Sequence, residues 1–139
     1  MTVFVRVMVV DADGGPVVGD AGMQLGARHP GSTKPLPGQS GGTSDIYPDS
    51  QGLVHPGKAG MSLFVKGARM PAHLTKACTG EPGQLAKFEI ADDPFPTKEL
   101  TLQVTNPARG HGVMSPTAPM QLTAYQGALA HTRPQWRKI

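Results

Sequence analysis

The sequence predicts an α+β fold with a mostly antiparallel β core and a few short helices. Three observations predict it. Short stretches with the apolar or alternating pattern of strands fall at residues 3–10, 61–66, 85–90, 99–105 and 111–114. The best helical stretch, residues 117–131, comes late in the chain. No regular crossover helices separate the strands, which argues against a doubly wound parallel sheet.

Each element has its own local reason. "VFVRVMVV" (residues 3–10) is rich in Val and Phe and is stopped by the turn signal "DADGG". Residues 11–45 hold nine Gly and four Pro and little pattern, the signature of a functional or disordered loop. "GLVHPGKAGMSLFV" (residues 52–65) changes at Met61 from a polar, flexible approach to a strand, with Gly60 and Ser62 at its mouth. Chains do this where a backbone approaches a ligand, and also at ordinary hairpins. "PAHLTKACTG" reads as a short helix, with Pro71 in its first turn and Gly80 past its end. "LAKFEI" and "ELTLQVT" alternate, and Leu100, Leu102 and Val104 share one face. "HGVM" is a further short strand. In the late helix Thr117 is the expected N-cap, Pro119 lies in the first turn, and Met120, Tyr125, Ala128 and Leu129 share a face. Pro134 ends it, leaving "QWRKI".

The length of 139 residues suits one domain, residues 1–139. With 38% apolar residues, 18 Gly and 14 Pro, much of that domain must be loop. The net charge of +3 is unevenly spread: after Glu99 come Arg109, Arg133, Arg137 and Lys138 and no carboxylate. Such a stretch attracts an acidic partner, a phosphate or RNA, or is simply a solvated basic surface. Cys78 is the sole cysteine, so no internal disulfide forms. No signal peptide is expected, and "VFVRVMVV" is too short for a membrane span and is interrupted by Arg6. The expectation is a soluble chain made in the cytoplasm, exported, if at all, by a route that cleaves no signal.

Several motifs fail. "DADGG" lacks the later ligands of a calcium loop, and "GARHPGST" has Ser32 and Thr33 where a phosphate loop needs Lys and a hydroxyl. The histidines at 29, 55, 73, 111 and 131 lack ligand spacing, so no metal site is expected. Three positions could carry chemistry. Arg6 sits inside an apolar strand, where a charge is costly unless partnered; its plainer reading is an edge-strand side chain in solvent. Ser62 stands at a strand mouth, where a turn hydroxyl is commoner than a catalytic one. His111 lies between two glycines in "RGHGVM", and a lone His is more often packing or surface than catalyst.

Taken in order, these pieces resemble a family of small toxins exported by the type VI secretion system with an ADP-ribosyltransferase-like fold. The resemblance runs from Asp45 to Trp136. It is carried by "DIYPDSQGLVHPGKAGMSLF", "FEIADDPFPTKELTL", "HGVMSPTAPM" and "QWRK", with "FVRVMVV" similar to the aromatic-Arg first strand of ADP-ribosyltransferases. It implies a split antiparallel core and an antibacterial, NAD-dependent effector that transfers ADP-ribose or cleaves NAD, with NAD as substrate. It further implies that Arg6 faces the dinucleotide phosphates, and that Ser62, with Gly60 and Met61 at the same strand entry, supports the nicotinamide pocket. His111 stands in the region where ADP-ribosyltransferases place a catalytic Glu. The partners implied are a cognate immunity protein and a secretion-system adaptor, and no membrane. Two departures stand out: Met61 replaces a Thr that some members carry before the Ser, and no acid follows Glu99. The alternatives are a toxin ribonuclease, with His111 or His55 as general base and the basic C-terminal end on RNA, and a protein that keeps the fold and only binds a partner.

Overall fold

The near-continuous apolar run of the first strand, β1 (Val3–Val9), suits its place inside the sheet, buried on both faces and hydrogen-bonded on both sides. The computed structural model describes residues 1–32, 44–57, 59–93, 95 and 97–139. One neighbour, β4 (Leu85–Ala91), pairs with β1 along its whole length, from Val3 opposite Ala91 to Val9 opposite Leu85. The other neighbour, β3 (Met61–Val65), meets it only at Phe4 opposite Val65 and Val5 opposite Phe64. Beyond Val5 the two strands part. The rest of β3 pairs with β6 (His111–Pro116), which pairs with β5 (Leu100–Asn106). At the far edge β8 (Arg137–Lys138) joins β4, giving the order β5-β6-β3-β1-β4-β8. All these pairs are antiparallel. A separate ribbon joins β2 (Leu53–Val54) to β7 (Met120–Gln121), and the helices are α1 (Ala72–Lys76) and α2 (Leu122–His131). The class is α+β, with a mostly antiparallel sheet and few short helices.

One face of the sheet packs the core. Phe4, Met8, Met61, Leu63, Phe88 and Met114 bury against Tyr125 and Leu129 of α2 and against Trp136. The Tyr125 hydroxyl accepts a hydrogen bond from the Met61 N–H at 2.9 Å and donates one to the Met114 carbonyl. It thus ties β3 to β6 at the mouth of β3. Burial pushes the Tyr125 phenol above its ordinary pKa, so it stays a neutral donor. Gly60 belongs to the same junction. A Cβ there would lie 2.5 Å from the Met114 carbonyl oxygen and 3.2 Å from the Tyr125 hydroxyl. The flexible approach to Met61 therefore lets backbone close on backbone.

The late helix starts at Leu122, five residues after its expected N-cap. Thr117 instead donates its hydroxyl to the carbonyls of Lys98 and Glu99, and Met120–Gln121 are taken by β7. The strands β2, β7 and β8 have two residues each, too short to show a period in sequence. Part of the long Gly-rich segment is organised. Val17 N–H donates to the Val9 carbonyl, Leu25 N–H to Val17, and Val9 N–H to Met23, folding residues 17–25 back along the end of β1. Residues 33–43 of that segment, with Thr33 of "GARHPGST", lie outside the described residues. So do Lys58, Pro94 and Pro96, which the family resemblance spans.

Charged pairs pin the chain ends. The side chains of Asp11 and Asp13 in "DADGG" accept hydrogen bonds from Arg133, with the Asp13 contacts at 2.6 and 2.8 Å. The Glu89 carboxylate accepts from Lys66 at 2.7 Å and from Arg137 of β8 at 2.6 Å. These two bonds, Lys66 first, hold it below the usual carboxylate range.

Two outcomes follow. Tyr125→Phe leaves the Met61 N–H and Met114 carbonyl without their partner, and should lower unfolding stability by about 1–3 kcal/mol in chemical denaturation. Because the folded pKa of Glu89 lies below the unfolded value of about 4.3, its stabilisation is complete above that value and is lost as pH falls through the folded one. The stability difference between wild type and Glu89→Gln should therefore be flat above roughly pH 6 and shrink below roughly pH 4.

Candidate functional site

Strand alternation sends Met61 and Leu63 into the core and Ser62 and Phe64 to the opposite face. The segment leading into α1 lies over that face. Met70 and Leu74 stand above Val7, Ser62 and Phe64 and enclose a recess of about 50 Å³. Phe64 and Met70 also line a larger, open groove of about 1080 Å³ that continues to His111. His111 lies directly opposite Phe64 in the β3–β6 pairing, with ring centroids 5.0 Å apart and planes at 86°. Ser62 lies opposite Val113, so Ser62 and His111 are diagonal cross-strand neighbours, about 7–8 Å apart. Both are exposed. The recess and the groove share Phe64 and Met70 as lining; Ser62 lines the recess and His111 the groove, on one face of the sheet.

Arg6 sits where β1 and β3 part. Its Nη1 donates to the Ser62 carbonyl at 2.8 Å and to Ser62 Oγ at 3.1 Å. Nη2 donates to the carbonyls of Gln24 at 2.9 Å and Gly26 at 3.4 Å, and Nε to Gln24 at 3.3 Å. The residue is 7% exposed. Desolvation lowers its pKa to about 10, partly opposed by the nearby Asp45 charge, so the guanidinium stays protonated at neutral pH. The edge-strand reading of Arg6 is thereby corrected: β1 is an inner strand, and the side chain is buried across the split. The resemblance sets this side chain against dinucleotide phosphates; in the structure its donors are turned to the chain itself. Arg6 borders the recess, but all five of its donors are engaged by this chain's own oxygens. It is a positioning residue. It fixes the strand mouth at Ser62 against the 24–26 loop.

Of the expected site residues, Arg6 and Ser62 line the recess, and His111 lines the groove beside it. Gly60 and Met61 do not line it: Gly60 is buried against Met114, and the Met61 side chain lies in the core. His55 bonds to Asp49 at 2.7 Å in the loop after β2 and lines neither the recess nor the groove.

Two groove residues were not singled out from sequence. Arg69 and Arg109 line it with His111, and no described carboxylate does. Arg109 was visible only as part of a basic tail, and Arg69 carried no signal at all. The nearest carboxylate in register is Glu89, separated from Phe64 by Val5 in the cross-strand row and held by Lys66 and Arg137. Among the described residues no group of three His, Cys, Asp or Glu is placed to hold a metal ion, and no helix is long and apolar enough to cross a membrane. No family model matches the chain, and no curated protein matches it in sequence.

Arg6→Ala removes the donors of the Ser62, Gln24 and Gly26 carbonyls and opens a gap across the split. It should cost about 3 kcal/mol of stability, a drop of roughly 10 °C in Tm by calorimetry.

Proposed function

We propose that the chain is a bacterial cytotoxic effector that acts on NAD in the target cell, by ADP-ribosyl transfer or NAD cleavage. The observation that carries this reading is the placement of Ser62 and His111 on one sheet face, lining two adjoining cavities that share Phe64 and Met70, beside the point where β1 and β3 separate. The likeness of the sequence to the small secreted toxins with an ADP-ribosyltransferase-like fold supports it, and so does an antiparallel sheet split beside a buried Arg.

The residues suggest how the reaction would run. Ser62 Oγ accepts a hydrogen bond from Arg6, which leaves its own proton free to point into the recess. That proton can be donated to an oxygen of the nicotinamide riboside, orienting C1′ of the ribose. Phe64 offers an aromatic wall beside it. The bond between C1′ and the nicotinamide nitrogen breaks, and its electron pair leaves on nicotinamide, neutralising the pyridinium charge. An oxygen of water or of a target side chain bonds to C1′ and gives up its proton, which the His111 imidazole is placed to accept. The carboxylate that usually steadies the cationic sugar in such chemistry has no counterpart among the described groove residues. Catalysis would then rest on orientation and proton transfer.

Such a toxin needs neutralising where it is made. The basic lining of the groove, with Arg69, Arg109 and His111, suits an acidic immunity protein laid across it. The ribonuclease alternative has one histidine at the groove, since His55 lies elsewhere.

The test is nicotinamide release, with transfer of labelled ADP-ribose to macromolecules, from NAD and the purified chain. Ser62→Ala should weaken NAD binding about fivefold, one neutral hydrogen bond of about 1 kcal/mol. His111→Ala should slow turnover by about 10²–10⁴ with little change in affinity. His111→Ala should leave Tm nearly unchanged, because its side chain is exposed, whereas Ser62→Ala, which takes one acceptor from the buried Arg6, should lower Tm by a few degrees. A wild-type chain that neither binds nor consumes NAD sinks the reading.

A further inference from the structure

We infer that Arg69 and Arg109 together form a binding site for the diphosphate of a nucleotide, with the groove between them and Phe64 holding the rest of the ligand. The inference rests on the proposed action on NAD for the identity of the full ligand, but its geometry stands apart from Ser62 and His111 chemistry.

Two adjoining turns set the arginines on the lining of one groove. The chain leaving β3 turns at residues 65–68, where the Ala68 N–H donates to the Val65 carbonyl at 3.0 Å. The β5–β6 hairpin turns at residues 106–110, where the Arg109 N–H donates to the Asn106 carbonyl at 3.2 Å. The turns are locked to each other. The Val65 N–H donates to the Gly110 carbonyl at 2.7 Å, and a Cβ on Gly110 would stand only 2.3 Å from the Cβ of Ala68. Gly110 also has φ +67°, so a side chain there is excluded twice over. Arg69 and Arg109 are the next residues along from this contact, one on each turn, and both line the groove.

The charges point to an anion. Neither guanidinium has a hydrogen-bond or ion-pair partner among the described residues, whereas Arg28, Arg133 and Arg137 are all paired with carboxylates. His111 lines the same groove, and no described carboxylate does. Two planar guanidinium forks issuing from touching turns suit two linked phosphates better than one. The remaining wall is apolar and includes Phe64, Val65, Met70 and Val104, surface for a base or ribose. The volume of about 1080 Å³ is enough for a dinucleotide. The phosphate-binding role that the resemblance implied for the first-strand Arg thus passes in this proposal to two residues of the groove, because the Arg6 donors are taken by the chain itself.

The experiment is calorimetric titration of the full chain with ADP and with NAD at low salt, for wild type, Arg69→Ala, Arg109→Ala and the double variant. Each is accompanied by a melting temperature and a nicotinamide-release assay. ADP should bind wild type, each single variant should bind it about tenfold or more weakly, and the double variant about a hundredfold or more weakly, with Tm unchanged. If ADP binding depends on both arginines and no NAD is consumed, the diphosphate site stands and the NAD reaction falls. If NAD is consumed and the double variant binds ADP and NAD like wild type, the diphosphate site falls and the NAD reaction stands. Failure of wild type to bind ADP overturns the inference. So does RNA binding that needs the arginines while ADP does not bind.

Discussion

A buried guanidinium in the gap between two parting strands is the constraint on which the rest of the site depends. Burying an unpaired charge is expensive, and the structure meets the cost with carbonyl oxygens from two segments far apart in sequence. Gln24 and Gly26 come from the Gly-rich loop, and Ser62 from the mouth of β3. Because each carbonyl is part of the backbone, the side chain fixes main-chain position on both sides of the split. A hydrophobic residue at position 6 would fill the space and leave those carbonyls unpartnered. Asp45 adds a favourable charge nearby without a direct ion pair, so the cation is held by dipoles more than by a counter-charge.

That arrangement decides what Ser62 can do. Its hydroxyl is approached from the sheet side by Arg6 Nη1, so one lone pair is used and the proton is directed outward. The backbone beneath it is held a second time by Tyr125, which binds the Met61 N–H from the core face. Ser62 is thus an exposed side chain on a strand held from both faces, the combination that orients a ligand at low entropic cost. His111 has similar support. Its strand neighbours are fixed to β3 and β5, and Gly112 lies so close to the Phe4 ring that a Cβ would stand 2.9 Å from it.

Electrostatics divides the face of the sheet into two regions. Around Glu89, cations and carboxylate neutralise one another and serve to fasten β8 and the end of β3. Around His111 the cations have no partner among the described residues and line a groove. The first region is structural by its own pairing. The second has charge left over, and an anionic ligand or an acidic protein is what would complete it.

How much of this was legible in sequence depended on whether the cause was local. The strands of five or more residues, the short helix and the C-terminal end of α2 follow from apolar period, Pro and Gly, and these properties act over a few residues. That Ser62 and His111 share a sheet face follows from the β3–β6 register and not from any local pattern. Tertiary structure decided the rest. Thr117 caps no helix because the Lys98 and Glu99 carbonyls, brought beside it by the β5–β6 pairing, compete for its hydroxyl. Met61 and Gly60 face the core because the register of β3 on β6 puts them there, and a one-residue slip would have turned Met61 outward. Arg6 binds its own chain because the loop at 24–26 happens to fill the split, a contact between residues 18 and 20 positions apart that no local pattern encodes. Arg69 and Arg109 line one groove only because Ala68 packs on Gly110. The sequence by itself thus determined which segments become strands and helices, since that is a matter of short-range pattern. Which side chains share a surface was decided by register and loop packing, where residues distant in the chain compete for the same hydrogen bonds and the same space.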